Sequence, residues 1–222
     1  MISVRHLSLR PWVTDVSFDV AAGEVFGLLG ANGAGKTTTV ECLLGLRRFG
    51  MGELSIAGAP AGSIAARAAT GAVLQATALQ DKVTPIEALR MYAAFHARPL
   101  GIEALLARFG LTDKRVAAYD TLSGGQKQRL HLALAFVGDP RVLVLDEPAA
   151  GLDIAARRTL HDDIAAAKAE GRAVLLTTHD MDEARSLCDR VAVLAKGEMV
   201  ATGAPRDLAL ETLILNDLSG DA

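Results

Sequence analysis

Residues 30–37 read GANGAGKT, which places glycines, a lysine and a threonine at the spacing G-x-x-x-x-G-K-[ST]. The run ahead of it, Glu24–Gly30 (EVFGLLG), is continuously apolar and of strand length, and Thr37–Leu46 behind it reads as a helix. A strand that passes through a glycine-rich turn into a helix aims successive backbone N–H groups, and the positive end of the helix dipole, into one concavity. Gly33 and Gly35 permit that turn, and Gly30, Ala31, Asn32 and Ala34 complete the loop. Lys36 supplies a cation for β- and γ-phosphates, the Thr37 hydroxyl a ligand for Mg2+, and Thr38 a donor to an α-phosphate. The feature therefore predicts nucleotide binding at the carboxyl edge of a buried parallel sheet.

The rest of the chain supplies such a sheet. Ile2–Leu9 alternates in strand fashion, as do Val16, Phe18 and Val20. Short strands are predicted at Glu53–Ala57, Gly71–Gln75, Arg141–Leu145, Ala173–Thr177, Arg190–Ala195 and Glu198–Ala201. Helices are predicted at Ile86–His96, Ile102–Phe109, Ser123–Val137, Ile154–Glu170 and Met181–Leu187, with a last short one opening at Pro205. Buried strands alternating with helices imply an α/β core with a mainly parallel sheet. The stretch from Pro85 to Gly138 is all-helical and reads as an insertion, so one domain is expected: a nucleotide-binding core over about 1–80 and 141–222 and a helical subdomain over about 81–140.

Composition narrows the function. With half of 222 residues hydrophobic and 22% charged, the chain can build a core. A net charge of −3 shows no basic surplus, so no nucleic-acid partner is expected. Cys42 and Cys188 have neither metal-ligand spacing nor a disulfide framework, which suits a reducing compartment. The N-terminus has no signal-peptide run, and no stretch approaches the roughly 18–20 apolar residues that span a bilayer. Any action at a membrane then goes through a partner.

Two further motifs bear on phosphate chemistry. Val142–Pro148 (VLVLDEP) delivers Asp146 and Glu147 at the carboxyl end of a buried strand. Asp146 suits Mg2+, and Glu147 suits a general base for water, a role typically worth 10²–10⁴-fold. An acidic turn that merely caps the strand is the plain alternative. Residues 122–130 read LSGGQKQRL, where Ser123 is a good helix N-cap and Ser123, Gly124 and Gly125 make a second anion-binding helix start.

LSGGQ ahead of the DEP acids resembles the signature motif of ABC ATPases. The other family motifs stand in order: Gln75 in GAVLQ is similar to the Q-loop residue, Gly151-Leu152-Asp153 to the D-loop, and His179 in LLTTHD to the H-loop. The resemblance covers essentially the whole chain. It implies the ABC ATPase fold: a P-loop core with a mainly parallel sheet, an N-terminal antiparallel β region and an inserted α-helical subdomain. It implies ATP with Mg2+ as the ligand, and two such domains paired head to tail, more often identical copies than sister chains. ATP on one Lys36 is then closed over by Ser123, Gly124 and Gly125 of the other copy. Gln75 is implied to contact Mg2+ or the attacking water, His179 to hold the γ-phosphate and the Glu147–water geometry, and Asp153 to cross the interface, although Asp153 also works as a plain N-cap.

The family also places an aromatic in the first β region to stack on adenine. Here LRPWVTDVSF is short, Pro11 falls where that aromatic commonly lies, and Trp12 is left to replace it, with packing at a sheet edge as the alternative. DEPAAGLDI carries Ile154 where a proline is frequent. VTPIEALRMYAAFHARP and the C-terminal GEMVATGAPRDLALETLILNDLSG resemble drug-exporter-like subunits. That implies an integral-membrane permease as partner, export of a drug, lipid or other amphiphile, and a cytoplasmic location at the inner face of the membrane. A non-transport ABC ATPase of DNA repair or translation is the rival class; it usually carries a long coiled-coil insertion or two ABC domains, and this chain shows neither.

Overall fold

The computed structural model describes residues 1–75 and 77–209. Its strands are β1 (Ile2–Leu9), β2 (Val13–Val20), β3 (Val25–Leu29), β4 (Met51–Ile56), β5 (Ala59–Pro60), β6 (Thr70–Val73), β7 (Val142–Asp146), β8 (Ala173–Thr178), β9 (Arg190–Ala195) and β10 (Glu198–Gly203). Its helices are α1 (Lys36–Leu43), α2 (Ile64–Ala68), α3 (Pro85–Ala93), α4 (Ile102–Arg108), α5 (Gly124–Phe136), α6 (Ile154–Ala169) and α7 (Met181–Leu187). Two sheets form. One is antiparallel, in the order β2-β1-β4-β5; the other has six strands in the order β10-β9-β3-β8-β7-β6 and is parallel except where β10 joins β9.

Burial follows from that topology. β3, β7 and β8 are buried at every position because both faces of the six-stranded sheet are covered, which is why they read as unbroken apolar runs. Phe26, Leu28, Val142, Val144 and Leu175 face a core shared with β1, β2, β4 and α1. Leu29, Leu143, Leu145, Val174 and Leu176 face a second core filled by α3 to α7. The edge strand β10 has no fully buried residue.

The predicted elements are present, with shifted ends. The first helix ends at Leu43 rather than Leu46, because Gly45 adopts a left-handed backbone (φ 71°). The helix predicted to His96 ends at Ala93. α2 and β5 went unpredicted, and Pro205 opens a single 3-10 turn, Pro205–Asp207. The C-terminal segment used for the exporter resemblance lies partly outside the described residues. Among the described residues, no helix is long and apolar enough to cross a membrane.

Candidate functional site

The loop between β3 and α1 shows the geometry that its glycines allow. Gly35 is the N-cap of α1, with a left-handed backbone (φ 102°), and no side chain caps that helix. A Cβ at this position would lie 2.6 Å from Val13 Cγ1 and 2.9 Å from the Trp12 carbonyl oxygen, so both conformation and space require glycine. The first amides of α1 therefore have no side-chain acceptor, the condition for receiving an anion. Lys36 is nearly fully buried, and its Nζ donates to the carbonyl oxygens of Gly30 (2.8 Å) and Ala31 (3.1 Å) and pairs with Glu147 Oε1 at 3.1 Å. Asn32, Gly33 and Thr37 are exposed, while Ala34 and Thr38 are buried.

The acids come from the end of β7. Asp146 is 1% exposed; its Oδ1 accepts from the Thr177 hydroxyl at 2.5 Å and from the Thr37 hydroxyl at 3.4 Å. Its Oδ2 is buried with no hydrogen-bond partner among the described residues. Glu147 has a left-handed backbone (φ 49°), an arrangement that costs on the order of 1–3 kcal/mol in a non-glycine residue and persists where the surroundings enforce it. The enforcement is visible: the Glu147 N–H donates to both the carbonyl and the hydroxyl oxygen of Thr177. The turn aims the carboxylate at Lys36 on one side and at His179 on the other, where His179 Nδ1 lies 2.7 Å from Glu147 Oε2.

The site has the donor chemistry of a hard cation. A carboxylate oxygen that is buried and unpartnered is costly unless a donor or cation meets it. The other oxygen of the same carboxylate accepts from the Thr37 and Thr177 hydroxyls, and carboxylate and hydroxyl oxygens are the donor set that Mg2+ prefers. Gln75 occupies an exposed turn just past β6. Val73, the last residue of β6, pairs with Leu145 of β7, so Gln75 and Glu147 each lie two residues beyond a paired position at the same sheet edge.

The other expected residues lie apart. Ser123 caps α5 through a full capping box with Gln126, and Asp153 caps α6 by accepting from the Ala156 N–H at 2.8 Å. These two helix starts adjoin, since a Cβ on Gly125 would lie 2.7 Å from Ala156 Cβ; Gly124 has open space beside it. No hydrogen bond among the described residues joins Ser123, Gly124 or Gly125 to the 30–38 loop. Trp12 is 48% exposed, with the Arg47 guanidinium 5.3 Å from its ring centre. Sequence reasoning missed Thr177, which ties Asp146 to Glu147. Its signal was a hydroxyl two residues before His179 at a strand end, on a strand that the sequence could not yet place beside β7.

Residues 13–150 match the ABC transporter family. The "Nod factor export ATP-binding protein I" of Burkholderia pseudomallei (strain 1710b) is 45% identical over 203 residues, covering 88% of this chain and 67% of the relative. The protein of the same name from Rhizobium meliloti (strain 1021) is 43% identical over 211 residues, covering 92% of this chain and 63% of the relative. The chain thus spans about two thirds of the length of these relatives. A solved ATP-binding subunit of an ABC transporter superposes with a TM-score of 0.86 at 29% identity, over 99% of this chain and all of the other. An ATP-binding cassette in its ADP conformation shares the fold at the same TM-score with 20% identity. With the family motifs in order along a fold of this kind, the chain belongs to the ABC transporter family, among its ATP-binding subunits.

Proposed function

We propose that the chain hydrolyses ATP with Mg2+ in a head-to-tail pair of ATP-binding domains and thereby drives a separate membrane permease, in the direction of export. The observation that carries the catalytic part is the Glu147 carboxylate, held between Lys36 and His179 at the lip of an uncapped helix start. The amides of Gly33 to Thr38 and the Lys36 ammonium receive the phosphates. Thr37, Asp146 and Gln75 are the residues to hold Mg2+, which when bound neutralises charge on the β- and γ-phosphate oxygens. Glu147 takes the proton of the attacking water, and His179 keeps its carboxylate turned toward that water. Trp12 offers a face to the adenine base.

The second half of the proposal concerns partners. Ser123, Gly124 and Gly125 form an anion-binding helix start that their own chain does not bring to Lys36, so a second copy is the natural recipient. Asp153, next to that helix start, would lie in the same interface. The core of about 1–80 and 141–222 and the helices of about 81–140 are then the two bodies that carry the two anion sites. An apolar groove of about 440 Å³ between α1, α2 and α3, lined by Leu43, Leu46, Ala66, Leu74, Thr77 and Tyr92, flanks Gln75 and suits a cytoplasmic helix of the permease. The relatives' name specifies export of Nod factor; for this chain the substrate class is a lipid, drug or other amphiphile.

Complementation tests the pairing. A Lys36→Ala copy and a Ser123→Arg copy are each inactive alone. Mixed, they leave one intact site if the sites form between copies, and none if each site forms within one copy. Recovery of hydrolysis on mixing supports the proposal, and no recovery in cross-linked mixed pairs refutes it. Co-purification of a multi-span protein with the chain from membranes supports transport, whereas recovery with ribosomes or DNA supports the non-transport class.

A further inference from the structure

Trp12 is the single tryptophan of the chain and belongs to neither hydrophobic core. Its position is nevertheless fixed at both ends. At the backbone, its N–H donates to the Leu9 carbonyl, and its own carbonyl lies close to Gly35 at the start of α1, where an added Cβ would come within 2.9 Å of it. At the ring, the Arg47 guanidinium lies 5.3 Å from the indole centre. Arg47 is in turn held by its Nε–H donating 2.6 Å to Glu41 Oε2, and Glu41 sits on the same helix that Lys36 begins. Glu41 follows Thr37 by one helical turn on the exposed side of α1, so the chain Glu41–Arg47–Trp12 spans from the phosphate-binding helix to the half-exposed ring. A guanidinium over an indole face is favourable electrostatically and also restricts the ring to one plane. An unsupported, half-exposed indole would lose rotamer freedom on stacking with a base.

From this we infer that Arg47, anchored by Glu41, is a positioning residue for the nucleotide base: it holds the Trp12 indole in the orientation on which the base stacks. The inference rests on the base-stacking role given to Trp12. Arg47 acts through the ring and not on the phosphates, so its effect belongs to base-bearing ligands alone. Because the ring is held before binding, the gain appears in affinity and not in the hydrolytic step.

The test compares ATP with inorganic tripolyphosphate, which has the phosphates and no base, by equilibrium binding to native protein, Trp12→Ala, Arg47→Ala and the double variant. Trp12→Ala is expected to weaken ATP about tenfold, within the usual range for loss of one base–aromatic stack, and to leave tripolyphosphate binding unchanged. Arg47→Ala is expected to weaken ATP about threefold, as for an exposed cation–π contact, to raise KM by that factor without a matching loss of kcat, and to leave tripolyphosphate unchanged. In the Trp12→Ala background it is expected to do nothing further. Retained tripolyphosphate binding also shows that each variant is folded. If Trp12→Ala lowers the preference for ATP and Arg47→Ala does not, the Arg47 inference is wrong and Trp12 keeps its role. If Trp12→Ala leaves that preference unchanged, the stacking role itself fails. If Arg47→Ala weakens ATP equally with and without Trp12, Arg47 does not act through the ring and the inference is overturned.

Discussion

Replacing Glu147 by Gln isolates the proposed base from its scaffold. The amide has nearly the same volume, keeps an oxygen for the His179 N–H donor and leaves the Thr177 bonds to the backbone untouched. What goes is the charge that accepts a proton. Loss of a general base costs on the order of 10²–10⁴ in rate, or about 3 to 5 kcal/mol of barrier. The same substitution removes the partner of Lys36. At an effective dielectric constant of about 20, charges 3.1 Å apart attract by about 5 kcal/mol, most of which is offset by the desolvation of a buried pair. On the proposed phosphate site, the native carboxylate would therefore compete with phosphate for the Lys36 ammonium. Glu147→Gln should bind ATP at least as tightly as the native chain while hydrolysing it 100-fold or more slowly (~10²). Single-turnover hydrolysis and equilibrium binding on the same preparation measure both. Turnover within about tenfold of native, with ATP affinity intact, would remove Glu147 from the role of base.

Other groups give sharper statements about stability. Burial pushes the Asp163 carboxyl up, from 3.8 to about 6, against the pull of Arg108 and Arg129, and its Oδ2 has no hydrogen-bond partner among the described residues. Since the folded pKa lies above the unfolded one, ionisation costs stability: the cost is absent below about pH 4, grows between about 4 and 6, and is constant above, at no more than about 3 kcal/mol before solvent screening. Asp163→Asn should therefore raise the Tm at pH 7.5 and leave it unchanged near pH 3.5; equal effects at both pH values would contradict this. Gly27→Ala on β3 would put a Cβ 2.8 Å from Cys188 Sγ and 2.9 Å from both Leu29 Cδ1 and Val191 Cγ1. Overpacking of this kind typically costs about 1–3 kcal/mol, so the urea midpoint should fall with the m-value unchanged, and an unchanged midpoint would mean that the Cys188, Leu29 and Val191 side chains yield freely.

How much was legible in advance varied with the range of the interactions. Buried strands such as Val142–Asp146 and Ala173–Thr178 announce themselves because every residue is covered on both faces. α2 was missed because Ile64–Ala68 (IAARA) is too short to show a period; its one signal is the Ser63 side chain accepting from the Ala66 N–H. The end of α1 was misplaced because Leu44 and Leu46 continue a helical pattern that Gly45 interrupts in the left-handed region. The bent backbone of Glu147 has no sequence signal, since the Thr177 that holds it is 30 residues away in sequence, on the neighbouring strand β8.

The strand order explains why motifs so far apart in sequence can form one site. β3, β8, β7 and β6 are consecutive neighbours. Their carboxyl ends carry, in that spatial order, Lys36 and Thr37, then Thr177 and His179, then Asp146 and Glu147, then Gln75. A parallel sheet delivers all of these to one edge, so each motif could be assigned from its own strand-to-loop junction before any order was known. Ser123 is the exception: it follows no strand but begins α5, whose main contacts are to α3, α4, α6 and β6. A helix start of this kind, off the line of strand ends, would have a use in the proposed site shared by two copies. The sequence carries two phosphate-type motifs, and the sheet aligns only one of them with Asp146 and Glu147; under the proposed head-to-tail pairing the other, at Ser123, would serve a second copy.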